Sequence, residues 1–133
     1  MGRSASPRKA YKPKFVSIPM MAENRNMLAM HLHIAVDTLI AAPSVDAYNR
    51  VSKMLATLYK AGCTKPCLTL ATHAVNAICD RFERVQKVGV SEDEATVLRH
   101  ASGELDEELA RIPFNKFKAA SQTINRNFAL LHD

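Results

Sequence analysis

From about residue 20 onward, apolar residues recur at intervals of three and four. That spacing lays them along one face of an α-helix. The clearest run is Leu68, Ala71, Val75, Ile78, Phe82 and Val85, which predicts a helix near residues 66–87 carrying the seam of a helical bundle. Val45, Tyr48, Ser52, Leu55 and Tyr59 predict a helix over residues 45–61. Ala95, Leu98, Ser102, Leu105, Leu109 and Ile112 predict another after residue 91. Phe114, Phe117, Ser121, Ile124, Phe128 and Leu131 form a last stripe, either on a separate helix or on one continuous helix kinked at Pro113. The first helix falls within residues 20–42, most clearly from Met27, with Leu28, His31, Ala35 and Leu39 on one face. No segment keeps the period of two that a half-buried strand requires.

The breaks between these runs carry stop and start signals. Pro43 disfavours continuation and Ser44 is a good N-cap. Gly62 suits a helix C-terminus and Gly89 closes the third helix. Ser91 followed by Glu94 is a capping box, whose acids also suit the positive end of a helix dipole. The pattern predicts an all-α fold: a compact bundle of four to five amphipathic helices over residues 19–133, joined up and down by short loops. Residues 1–18 differ. Pro7, Pro13 and Pro19 push them toward an extended arm. Residues 3–15 would reach on the order of 40 Å if stretched. Phe15, Val16 and Ile18 are expected to pin its end to the body.

Charge sharpens this division. The chain carries a net +5. Arg3, Arg8, Lys9, Lys12 and Lys14 lie in the arm without an acid, while the remaining 13 bases match all 13 acids. A basic arm on a balanced body points to a polyanionic partner. At 133 residues and 47% hydrophobic, the chain is long enough to bury a core without covalent staples. Its three cysteines are too few and too odd for a disulfide framework. No secretory signal is visible, so a cytoplasmic setting is expected. His31, His33 and Asp37 interrupt the most apolar stretch, which argues against a membrane span.

Candidate chemistry is sparse. Cys63, Cys67, His73 and Cys79 are zinc-ligand types, but their spacing matches no standard finger, so no metal or cofactor is expected. His31 and His33 diverge on a helix. His31 is expected in or near the core, and His33 beside Asp37 in water. There is no G-x-S-x-G, phosphate-binding glycine loop or H-E-x-x-H, which points away from an enzyme. In "DRFERVQK", Asp80–Arg84 and Glu83–Lys87 are spaced as ion pairs on a solvated helix face. A helix-turn-helix around Gly62 would place Leu58 where a small residue is wanted, and offers only Thr64, Lys65, Thr69, Thr72 and His73 for reading DNA.

Three features remain as interaction candidates. In the arm, the bases can follow phosphates while Tyr11 and Phe15 stack on unpaired bases. Met20, Met21, Met27 and Met30 cluster where arm meets body, and suit an adaptable protein contact. Glu104, Asp106, Glu107 and Glu108 form an acidic run that could receive a basic arm, from the same chain or a neighbour.

The pattern "RKAYKPK", continued by Val16 and Pro19 and followed by a helical body, resembles small uncharacterised helical proteins of proteobacterial phages and prophages. The resemblance implies a non-enzymatic accessory protein acting on nucleic acid or on a host protein. The expected function is therefore nucleic-acid binding through the arm. A regulator or inhibitor docking on an acidic host-protein surface, or on a host enzyme or defence factor, is the second expectation. A self-assembling homo-oligomer is the third.

Overall fold

The computed structural model describes residues 17–132. Five α-helices occur there: α1 Ala22–Ala41, α2 Val45–Lys60, α3 Pro66–Val85, α4 Glu92–Arg111 and α5 Phe114–Asn127. No strand occurs among the described residues. Helices α1 to α4 each touch the next, and α4 returns to α1, closing a square bundle. Helix α5 stands outside the square, against α2. Helices α2 and α4 therefore lie on opposite corners.

The helix ends follow local chemistry. Ser44 Oγ accepts from the Ala47 N–H at 3.0 Å. Ser91 Oγ accepts from the Glu94 N–H at 3.2 Å, and Glu94 Oε1 accepts from the Ser91 N–H at 2.9 Å, completing the capping box. Gly62 adopts φ +102 in the turn after α2, a conformation that costs glycine little. Helix α3 is closed not by Gly89 but by Gln86, which takes the left-handed conformation at φ 58. Its side-chain amide donates to the Phe82 and Glu83 carbonyls at 3.4 and 3.3 Å. At Pro113 the chain breaks rather than kinks. Ile112 is extended, as a residue before proline prefers, and α4 and α5 are separate helices.

Leu32, Leu39, Leu58, Ile78, Leu98, Leu105 and Leu109 are fully buried at the centre. Burying a side chain of this size contributes roughly 1.5–3 kcal/mol. All six stripe residues of the fourth run are buried, as are five of the third, Val85 being exposed at the end of α3. Helix α2 departs from its single stripe. Ala47, Val51 and Leu58 are buried beside Tyr48, Ser52 and Leu55, while Tyr59 is 73% exposed. The cause is its position, because α2 packs against α1, α3 and α5.

Helix α1 turns differently from its expected register. Leu32, Ala35, Val36 and Leu39 face inward, and His31 is exposed. The last stripe also ends early: α5 stops at Asn127 and Phe128 is extended. The following residues run back along α2, where Asn49 and Leu131 exchange two hydrogen bonds.

Candidate polyanion interface

The body is neutral in total but not in distribution. Helices α2 and α5 carry Arg50, Lys53, Lys60, Lys116, Lys118 and Arg126 against the single acid Asp46. Diagonally opposite, α4 carries Glu92, Asp93, Glu94, Glu104, Asp106, Glu107 and Glu108 against Arg99 and Arg111. The charges separate because α5, which has no acid, packs on α2 rather than on α4. Linear charge counting misses this, since the two basic helices are far apart in the chain.

Helices α1 and α5 flank α2 and leave a groove between them. One hollow of about 420 Å³ is lined by His31 and Ile34 of α1, Arg50 and Lys53 of α2, and Phe117, Ser121 and Asn125 of α5, among others. A second, of about 360 Å³, shares Leu28, Phe117 and Ser121 with it and continues past Asn24, Met27, Phe114, Lys118 and Gln122. No acid lines either hollow. His31, expected in the core, instead faces this groove. Burying Leu32 in its place spares an imidazole from desolvation.

The second hollow reaches Phe114, which is bonded to the start of the described chain. The Phe114 N–H donates to the Ile18 carbonyl at 2.7 Å, and the Ile18 N–H donates to Asn115 Oδ1 at 3.2 Å. The first bond satisfies one of the amides that the start of α5 would otherwise leave unpaired. Thus Ile18 anchors the chain through its backbone, while its side chain stays 49% exposed. The nucleic-acid candidates Arg3, Arg8, Lys9, Tyr11, Lys12, Lys14 and Phe15, with Val16, lie outside the described residues.

The protein-binding candidates divide. Met27 and Met30 are about half exposed and share a face of α1 with Ile34, a second apolar row beside the buried one. Met21 is exposed at the helix start, whereas Met20 packs against the core. In the acidic run, Asp106 faces His33 of α1, with Nε2 at 2.8 and 3.0 Å from its two oxygens. His33 therefore does not pair with Asp37; it bridges α1 to α4. Glu108 accepts from Arg111 at 3.0 Å and lies 3.8 Å from Lys65. Glu104 is 3.6 Å from His100, and Glu107 is exposed. Three of these four acids thus lie within ion-pair distance of a base of the same chain.

The ion pair of the "DRFERVQK" stretch runs between helices instead of along one. Arg81 grips Glu94 with Nη2 at 2.6 Å and Nη1 at 3.2 Å, and Nη1 also donates to the Gly89 carbonyl at 2.8 Å. Burial pushes the Glu94 carboxyl up, but the bonds from Arg81 and Ser91 outweigh it and leave it below its ordinary value. The Glu94 hydrogen bond in turn raises Arg81. Cys63 and Cys67 are buried, Cys79 is half-buried and His73 is exposed. Burial pushes the Cys67 thiol up, which makes it a poorer nucleophile at neutral pH.

No helix of the described chain is long and apolar enough to cross a membrane. The fold and its groove define a five-helix, charge-polarised bundle. No protein-family model, curated protein or solved structure matches the chain.

Proposed function

We propose that this chain is a non-enzymatic accessory protein of the phage type that binds nucleic acid through its basic arm and the groove from which the arm departs. The observation that carries this reading is the acid-free groove holding His31, Arg50, Lys53 and Lys118, which reaches the anchor of Ile18 on α5. Cations along such a track replace the counterions of a phosphate backbone, and the favourable release of those ions supplies the affinity. The arm adds five bases, with Tyr11 among them and Phe15 directly after the last, for stacking on unpaired bases. The distant acids of α4 keep the body balanced and repel phosphates on the opposite side.

The test is fluorescence anisotropy with labelled single- and double-stranded oligonucleotides. Deleting residues 1–14, or combining Arg50→Glu, Lys53→Glu and Lys118→Glu, should each weaken binding at least tenfold. Unchanged affinity in both variants would overturn the reading.

A protein partner is the second reading, favoured by the exposed row Met27, Met30 and Ile34. The unbranched thioether side chains of Met27 and Met30 adapt to a partner's surface. In nuclease-treated host lysate, a partner captured by the intact chain and lost with Ile34→Glu, but retained on deletion of residues 1–14, would favour it. Loss in both variants, or capture that disappears with nuclease, counts against it.

A further inference from the structure

The groove between α1 and α5 has a lining that phosphate contact alone does not use. Its two hollows, of about 420 and 360 Å³, each lie within the range of about 300–1,000 Å³ that holds small ligands. They run into one another at Leu28, Phe117 and Ser121. Helices α1 and α5 both pack on α2, but their backbones do not meet across it. Apolar side chains are accessible there. Leu28 and Met54 are half-buried, and Met27 and Ile34 are about half exposed.

Three side-chain amides stand beside this apolar surface. Asn24 and Gln122 line one hollow and Asn125 lines the other. Gln122 and Asn125 are exposed and Asn24 is half-buried, and none has a side-chain hydrogen bond among the described residues. Each offers both donors and acceptors. Arg50, Lys53 and Lys118 stand in no ion pair among the described residues. The lining therefore asks for a flat apolar body with donors and acceptors on its edge, joined to an anion. An unpaired nucleotide is such a ligand. In a duplex the Watson–Crick edges are spent on each other and the base faces on their neighbours in the stack. A protein helix satisfies its own backbone groups and would meet the amides only with side chains.

We infer that the groove holds single-stranded nucleic acid with its bases turned inward, against Leu28, Ile34 and Met54, where Asn24, Gln122 and Asn125 bond the base edges and Arg50, Lys53 and Lys118 take the phosphates. This rests on the nucleic-acid reading above, and goes further by placing bases as well as phosphates in the groove. Burying the base faces on apolar side chains supplies affinity that salt does not screen.

The test is fluorescence anisotropy of the full chain with three labelled DNA probes of equal length: a mixed-sequence single strand, the same strand with abasic residues in place of its bases, and the duplex. The abasic strand keeps every phosphate and reports the electrostatic part alone. At about 200 mM salt, where that part is reduced, the single strand should bind about tenfold tighter than either of the others. Ser121→Leu puts apolar bulk where the two hollows join and alters no charge. It should bring the single strand down to the affinity of the abasic strand, leaving abasic binding and the helical spectrum unchanged. Combining Asn24→Ala, Gln122→Ala and Asn125→Ala should weaken the single strand about three- to tenfold and spare the abasic strand. If the single strand binds no tighter than the abasic strand or the duplex, the inference falls while nucleic-acid binding stands. A base preference left unchanged by either variant belongs to Tyr11 and Phe15 of the arm and overturns it equally. Binding of none of the three probes overturns both readings.

Discussion

Asn49 holds Leu131 from both sides. Its Nδ2 donates to the Leu131 carbonyl at 3.1 Å, and its Oδ1 accepts from the Leu131 N–H at 3.0 Å. A side-chain amide thus imitates a strand neighbour for a segment that has left its helix. Asn49→Ala should cost about 1–2 kcal/mol in denaturant unfolding and release the Leu131 amide to fast hydrogen exchange. An unchanged midpoint with full protection at Leu131 would show that the segment is held by its apolar contacts alone.

The Arg81–Glu94 bridge should appear in the acid limb of the stability curve. The Glu94 carboxyl is lowered in the folded state. Its contribution is therefore complete above the unfolded value near about 4.3 and fades as pH falls through the folded value. Glu94→Gln should cost about 1–2 kcal/mol at neutral pH and reduce the pH dependence below about 4.3. Parallel urea melts of the two proteins check this, and superimposable acid limbs would contradict it.

Tyr48 governs the alkaline side. Burial pushes its phenol up to about 12. The unfolded chain then loses this proton first, so stability falls as pH rises from about 10 toward 12. The loss should reach on the order of 2–3 kcal/mol and be absent in Tyr48→Phe. The difference in tyrosinate absorbance between the two proteins isolates the Tyr48 titration. A midpoint near about 10 would place the phenol in water rather than in the packed interior.

Salt dependence separates the groove from the arm. If Arg50 and Lys53 each neutralise one phosphate, charge-neutral substitutions at both should lower the slope of log affinity against log salt by about 1.5. Removal of the five arm bases should lower it further and independently. A slope that ignores Arg50 and Lys53 would confine phosphate contact to the arm.

Much of the fold was legible from periodicity. The Leu68-to-Phe82 and Ala95-to-Ile112 stripes are buried nearly as spaced, because α3 and α4 each have one apolar face and so only one way to turn. The capping box at Ser91 also formed as read, being a contact among neighbours in the chain. Helix α1 was ambiguous for the opposite reason. It carries one apolar row through Leu28 and Leu32 and another through Met27, Met30 and Ile34. Period alone cannot choose between two such faces; packing against α4 and α2 made the choice.

The candidate site was less visible. Charge counting along the chain found the arm but returned a balanced body, since bases on α2 and α5 were cancelled by acids on α4. Likewise His33 was read with its near neighbour Asp37, while its partner is Asp106, 73 residues away. The caps at Ser44 and Ser91 and the single apolar faces of α3 and α4 depend on residues within one or two turns, so the sequence determined them by itself. The acid-free groove, the bridge from His33 to Asp106 and the clasp between Asn49 and Leu131 depend on which helices become neighbours. That choice belongs to the shared core, where burial of large side chains outweighs the weaker charge and hydrogen-bond preferences that would have been read locally.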